Sequence, residues 1–389
     1  MPFARALAAR GHEVRILTGF PNYPGGRLYP GYRLRWRQRE VMDGIPILRV
    51  PLYPSHDGSS AGRALNYLSF FATAGWPLWG GWKPDVVYIY NLVTLGALAT
   101  VNQALRHVPY VLDVQDLWPD SIFNARMGTP WLRRPIEALC QFAYRGAARI
   151  VVLSPGFRRV LVERGVPEEK IEVIYNWCNE DELAAASSVP EDSPELGQGW
   201  FNIVFAGNLG LVQGLEAVIE AAALVQGDAR RIRFVFMGQG VMLARLKELA
   251  AQRAPGNTLF LPARPFPEAV KVLRRAEALL VHLQDSPLFS VTIPSKTQAY
   301  LALGRPILAA MKGDTAELVR RAGAGVEAEP GNPASIAQAA RQLAESDVAQ
   351  LDAMGRRGAE FYARELSFAT GVTRFEQVFN RVVSFQKLP

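Results

Sequence analysis

DVVYIYN (85–91), PYVLDVQDLWPDS (109–121), ARIVVLS (148–154) and KIEVIYN (170–176) are short apolar runs, each separated from the next by a stretch of helical character. Runs of this kind suit strands buried on both faces, and helical spacers between them spell βαβ units on a parallel sheet. Each run ends in polar residues. Asn91, Asp113, Gln115, Asp116, Ser154 and Asn176 are therefore expected near the carboxyl edge of that sheet, where such folds bind ligands. Trp118-Pro119 turns the chain directly after Asp116.

A second series lies downstream: FNIVFAGNLG (201–210), RIRFVFMGQG (231–240), NTLFLPA (257–263), EALLVHL (277–283), PILAA (306–310) and GVEAE (325–329). Between the two series, EDELAAASSVPEDSPELGQGW (180–200) is polar and rich in Ser, Pro and Gly, which reads as a linker. A chain of 389 residues is also too long for one small core. The expected architecture is α/β: an N-terminal domain over 1–179, a linker over 180–200 and a C-terminal domain over 201–366.

Two strands of the second series end in glycine turns, Gly207-Asn208-Leu209-Gly210 and Gly238-Gln239-Gly240. Glycine lets the backbone approach a phosphate, and the helix that follows points its N–H groups at it. A third helix start lies in DSPLFSVTIPSKTQAYLALGRPILAA (285–310). Ser295 and Gln298 are spaced there as a capping box after Pro294, which predicts a helix from Lys296 to Gly304. Its first turn, with Thr297 in it, would combine free amides, the positive end of the helix dipole and the Lys296 cation. On a parallel sheet the three helix openings converge.

Charge is 43 Lys+Arg against 36 Asp+Glu, a formal +7, which suits an anionic ligand or a membrane surface. Cys140 and Cys178 form neither a disulfide framework nor a metal pattern, so a reducing compartment is expected. His12, His56, His107 and His282 are scattered without metal spacing, and no metal site is expected. No nucleic-acid partner is expected. The opening MPFARALAARGHEV lacks the apolar core of a signal peptide and reads as a helix ended by Gly11, feeding a strand over 13–19 with no strand before it.

GFPNYPGG (19–26), with Asn22, Tyr23 and Gly25, is either a candidate acceptor-binding loop or a plain turn. YRLRWRQREVMDGIPILRVPLY (32–53) is expected to place Arg33, Arg35, Arg37 and Arg39 on one strand face and to fold back at Asp43-Gly44. Those arginines either guard a sheet edge or meet anionic headgroups or a pyrophosphate. ALNYLSFFATAGWPLWGGW (64–82) approaches spanning length, but Pro77 and its glycines argue for an interfacial segment or a core helix instead. The tail LSFATGVTRFEQVFNRVVSF (366–385) carries Phe368, Val372, Phe375, Val378, Phe379 and Val382 on one helical face behind a Ser367 cap. It is expected to pack back on the first domain.

The ordered motifs RGHEVRILTGFPNYPGG, DVQDLWPDS, VIYNWCN, FAGNLGLVQGLE, FMGQG and IPSKTQAYLALGRPIL resemble those of the retaining glycosyltransferases of family 4. The chain is similar above all to the bacterial surface-polysaccharide branch with fucosamine and fucosyl transferases of O-antigen, capsule and colanic acid synthesis. The resemblance implies a GT-B fold: two Rossmann-like halves facing across a cleft, with a C-terminal helix (367–389) returning to the first. It implies a nucleotide-sugar co-substrate, often UDP-linked, and no cofactor or essential metal.

On this resemblance the donor would be held by Gly207, Asn208, Leu209, Gly210, Gln213, Gly238, Gln239, Gly240, Ser295, Thr297 and Gln298. Lys296, Asp116 and Gln115 would act at the reacting groups. The acceptor would be a polyprenyl-diphosphate sugar, presented to a cytoplasmic enzyme peripheral on the inner face of the membrane through 64–82 and the nearby arginines.

The chain also departs from the family pattern. Asn208 and Gln213 stand where the family has an arginine and a lysine, Gln115 where it has a histidine, and Val291 and Ala299 where it has two glutamates. Lys296 is expected to supply the missing phosphate cation. The family's loop between first strand and first helix is also absent. Two alternatives remain at this stage: an epimerase of the UDP-N-acetylhexosamine 2-epimerase type, and a non-catalytic partner of another transferase.

Overall fold

The structure, a computed structural model, describes residues 1–22, 25–55, 60–91, 93–124, 130–186 and 194–386. The chain forms two compact units. The first comprises Met1–Leu153, Arg158–Ile174 and Val372–Pro389; the second comprises Ser154–Phe157 and Tyr175–Gly371.

The first unit runs α1 (Pro2–Ala9), β1 (Ile16–Gly19), β2 (Gln38–Met42), β3 (Ile45–Val50), α2 (Ser60–Gly80), β4 (Val87–Tyr90) and α3 (Val93–Arg106). It continues through β5 (Tyr110–Val114), α4 (Asp120–Asn124), α5 (Arg133–Gly146), β6 (Arg149–Val152), α6 (Pro155–Glu163) and β7 (Ile171–Val173). β4 to β7 form a parallel sheet in sequential order. β5 is buried at every position, which is why YVLDV reads as an unbroken apolar run around one aspartate.

A separate three-stranded sheet has the order β1-β3-β2, with β1 parallel and β2 antiparallel to β3. The β2–β3 turn puts both Asp43 and Gly44 at positive φ (51° and 78°), the mirror-image turn that suits a two-residue hairpin. The expectation of four arginines on one strand face is corrected here. β2 begins at Gln38, so only Arg39 lies in a strand; Arg33, Arg35 and Arg37 are exposed on the irregular approach to it.

The second unit runs α7 (Glu180–Ala185), β8 (Phe201–Asn208), α8 (Glu216–Leu224), β9 (Ile232–Gln239), α9 (Leu243–Arg253), β10 (Thr258–Leu261), α10 (Phe266–Arg275) and β11 (Ala278–His282). Then follow α11 (Pro287–Ser290), α12 (Ser295–Leu303), β12 (Ile307–Ala310), α13 (Asp314–Ala322), β13 (Gly325–Ala328), α14 (Pro333–Glu345), α15 (Val348–Glu365) and α16 (Phe368–Gln386). Its six strands are all parallel in the order β10-β9-β8-β11-β12-β13. That is the doubly wound order, and it reverses direction between β8 and β11. Phe201, Ile203, Phe205, Phe234, Phe236, Leu280 and Leu308 are buried in one core beneath α8, α9 and α14.

The stretch read as a linker is partly folded. Asn179 caps α7 by accepting from the Glu182 amide, and Glu195 pairs with Arg264 at 2.5 Å, both within the second unit. α16 begins as read, with Ser367 Oγ accepting from the Thr370 amide. Beyond Val372 it belongs to the first unit, where Phe375 and Phe379 pack against Phe3 and Tyr88.

Candidate functional site

In doubly wound sheets the ligand crevice opens at the carboxyl ends of the strands where the order reverses. In the second unit that place is the end of β8 and β11, and α12 opens there. Tyr300, fully buried on α12, accepts a hydrogen bond from the Ala206 amide at 3.0 Å and so pins the helix to the edge of β8. Gly304 closes α12 in the left-handed region, with φ 67°.

α12 departs from the sequence reading at its start. It spans Ser295–Leu303 with Pro294 as the N-cap, and no side chain caps it. With proline at the N-cap there is no N–H to donate the return bond of a capping box. The Gln298 amide instead donates to the carbonyls of Pro294 (2.8 Å) and Ser295 (2.9 Å), so Gln298 braces the turn. Among the described residues, no acceptor meets the backbone N–H groups of Ser295 and Lys296. Thr297 is buried and its Oγ1 has no partner.

Lys296 turns toward β8. Its Nζ lies 3.4 Å from the centroid of the Phe205 ring, and a Cβ at Gly207 would come within 3.3 Å of it. Phe205 and Gly207 alternate on one strand face, so ring and glycine together make the floor on which the ammonium rests. No carboxylate among the described residues pairs with it, and burial pushes the amine down to about 7. A part-buried cation without a counter-ion, next to two open amides, is arranged to receive an anion.

The two glycine turns pack against each other at the same edge. A Cβ at Gly238 would come within 1.9 Å of the Gly207 carbonyl oxygen, and one at Gly240 within 2.3 Å of that of Leu209. The Leu209 amide donates to Gln239 O at 2.8 Å, and the Met242 amide to Leu209 O at 3.0 Å. Asn208 and Gln239, paired across β8 and β9, are exposed.

Leu209 and Gln213, both expected at the donor, make internal contacts at this edge. Leu209 is fully buried. Gln213 holds the Gly210 amide with Oε1 at 3.0 Å, and its carbonyl accepts from Nδ1 of His282 at 2.6 Å. His282 Nε2 accepts from the Gly331 amide at 3.2 Å, which fixes the proton on Nδ1; burial holds the ring below its ordinary pKa. Sequence reasoning passed over His282, Phe205 and Tyr300. The Phe-x-Gly alternation at the end of β8 was the available signal for Phe205.

In the first unit, Gln115 and Asp116 follow β5. Asp113 is buried, accepting from Tyr88 OH at 2.5 Å and from Gln115 Nε2 at 2.7 Å, and burial raises its carboxyl to about 6. Asp116 is exposed and held by Asn91 Nδ2 at 2.9 Å, with Asn91 itself in the left-handed region at φ 61°. In the candidate acceptor loop, Asn22 is buried and donates to Phe20 O at 3.3 Å, so its amide closes the turn. Gly25 is exposed, and Tyr23 lies outside the described residues.

Comparison with known proteins agrees with this architecture. A family model described as a Glycosyl transferase 4-like domain matches residues 1–177, and one described as Glycosyl transferases group 1 matches residues 201–346. A protein of Escherichia coli K12 named as the colanic acid biosynthesis glycosyl transferase WcaI is 27% identical over 312 residues, covering 77% of this chain and 75% of its own. One of Pseudomonas aeruginosa named as the glycosyltransferase WbjE is 26% identical over 255 residues, covering 64% and 62%. The solved structure of Anabaena HepE in complex with UDP shares the fold, with TM-score 0.65 at 15% identity over 94% of this chain and 99% of that one. The chain belongs to the family-4 glycosyltransferases of GT-B fold, related to enzymes of bacterial surface-polysaccharide synthesis.

Proposed function

We propose that the protein transfers a sugar, with retention of anomeric configuration, from a UDP-sugar to a lipid-linked sugar acceptor in surface-polysaccharide synthesis. The observation that carries this reading is the uncompensated Lys296 ammonium at the opening of α12, beside Gly207 at the strand-order reversal. HepE was solved with UDP bound, and WcaI is named for colanic acid synthesis; both support the donor and pathway class.

Negative charge grows on the leaving phosphate oxygen as the bond to the anomeric carbon breaks. Lys296 and the amides of Ser295 and Lys296 stabilise that charge with no metal in the scheme. The acceptor hydroxyl attacks on the face the diphosphate leaves, and its proton passes to the departing phosphate oxygen. Asp116, steadied by Asn91, and Gln115, steadied by Asp113, orient sugar or acceptor hydroxyls. The epimerase alternative needs a carboxylate free to move a proton. Asp113 is already engaged by Tyr88 and Gln115, which disfavours it.

The test is a donor screen by mass spectrometry against a polyprenyl-diphosphate sugar, with the product anomer read by NMR. Transfer from a UDP-sugar with retention is expected. Turnover of the sugar nucleotide to an epimer without acceptor, or inversion at the anomeric carbon, would overturn the reading.

A further inference from the structure

The far end of α12 meets a second set of cations. Arg274 lies in the last turn of α10, ahead of β11, and Gly304 and Arg305 join α12 to β12. All three therefore sit at the amino edge of the six-stranded sheet, whereas α12 opens at the carboxyl edge. The nine residues of α12 span about 13 Å between the two edges. At its closing end α12 is crossed by α15, backbone to backbone: a Cβ at Gly355 would come within 2.0 Å of the Gly304 carbonyl oxygen. Asp352 and Arg356, on one face of α15, complete a cleft of about 340 Å³ with Arg274, Leu303, Gly304 and Arg305. Every part of it belongs to the second unit.

Three guanidinium groups line this cleft against one carboxylate, an excess of two positive charges. Arg274 reaches the Leu183 carbonyl at 3.5 Å. Arg305 is half-buried and Arg356 exposed, and among the described residues neither has a hydrogen bond or an ion pair. Asp352 does not pair with Arg356, although side chains four apart on a helix commonly do. Cations near the carboxyl end of a helix often serve only to satisfy its last carbonyls. Arg357 shows that ordinary case, donating to the Gly323 carbonyl at the end of α13 at 2.9 Å. Arg305 meets no carbonyl of α12, and Arg356 lies in the middle of α15, where there is no helix end to satisfy.

We propose that this cleft is a second anion-binding site, which takes the phosphate dianion of a small soluble molecule between Arg305 and Arg356, with Arg274 beside it. A dianion matches the excess charge, and the planar guanidinium fork holds phosphate oxygens two at a time. The volume stands at the lower end of the range for ligand pockets, which suits a phosphate monoester or pyrophosphate. Leu303 is the single apolar side chain among the six residues, so the lining offers nothing to an acyl chain and selects a soluble ligand. A bound anion joins α12 to α15 where they cross. The length of α12 exceeds a Debye length of about 8 Å at physiological salt, so this site and the opening of α12 fill independently. The inference goes beyond the transferase reading and stands apart from it.

The test is calorimetric titration of pyrophosphate into the full chain carrying Lys296→Met, which lacks the cation at the opening of α12. Saturable binding at one site is expected, weakening with salt. In that background Arg305→Gln and Arg356→Gln should each weaken it by about tenfold or more. Asp352→Asn removes the opposing charge and should tighten it by about threefold. Arg245→Gln, at an exposed arginine on α9, should leave it unchanged. Circular dichroism confirms that each variant is folded, and Asp352→Asn carries the test if an arginine variant is not. No saturable binding to the Lys296→Met protein overturns the proposal, as does an equal loss with Arg245→Gln. Pyrophosphate binding by the parent that Lys296→Met abolishes also overturns it, while leaving the transferase reading intact.

Discussion

Lys296→Met keeps the stem of the side chain and removes its charge. In the parent protein, burial takes the amine from 10.5 to about 7. At about 1.36 kcal/mol per unit, that depression corresponds to at most roughly 5 kcal/mol, of which the contact with Phe205 returns about 1–2 kcal/mol. A lysine held below its unfolded-state pKa makes the fold gain stability as pH climbs from about 7 toward 10.5, and that gain is absent below 7. Methionine carries no such penalty. The variant should be more stable at pH 7 by roughly 1–3 kcal/mol, a rise of about 2–4 °C in Tm per kcal/mol for a unit of this size.

UDP binding should move the other way, weakening by about 10- to 150-fold as one charge-assisted bond of about 1.5–3 kcal/mol is lost. In the parent, free Lys296 is about half protonated at pH 7, so UDP should draw in about half a proton there, and affinity should fall as pH rises from 7 to 9. Differential scanning fluorimetry reads the first effect. Titration calorimetry in buffers of different ionisation enthalpy reads the second. A variant that melts lower and binds UDP like the parent would make Lys296 a packing residue and refute the reasoning.

Other perturbations separate positioning from packing. Asp113, raised to about 6 by burial, binds a proton more readily folded than unfolded, so stability should fall by up to about 3 kcal/mol as pH rises from about 4 to 6. Asp113→Asn should flatten that slope in urea melts taken across the range. Asn91→Ala frees Asp116 and should lower kcat by roughly tenfold, and because Asn91 sits in the left-handed region it should also cost about 1 kcal/mol in a denaturant melt, whereas Asn91→Gly should lower kcat alike at a smaller stability cost. Gly238→Ala would force a Cβ to within 1.9 Å of the Gly207 carbonyl oxygen. It should cost more than about 2 kcal/mol in a denaturant melt, because backbone has to move.

The parallel sheets were legible because their strands are buried on both faces and read as apolar runs, and the polar residue ending each run marked the carboxyl edge. The glycine turns were legible for a related reason: Gly207 and Gly238 approach each other too closely for any side chain. The start of α12 was misplaced by one residue because Ser295 enters the first turn behind Pro294, and Gln298 donates to the Pro294 and Ser295 carbonyls where the capping box has it accept from the Ser295 amide. The arginine strand was misread because period-two spacing over 33–39 takes no account of where pairing with β3 begins. Partners distant in sequence left no trace at all. Tyr88 lies 25 residues before Asp113, and His282 lies 69 residues from Gln213 and 49 from Gly331. Polar type alone could not show that Gln213 and Gln298 turn inward as braces.

An anion seated between Lys296 and the opening of α12 would be visible in a crystal structure of the protein soaked with UDP. The diphosphate is expected within hydrogen-bond reach of Lys296 Nζ and of the Ser295 and Lys296 amides, above Gly207. A diphosphate bound elsewhere, with Lys296 still resting on Phe205, would contradict that placement.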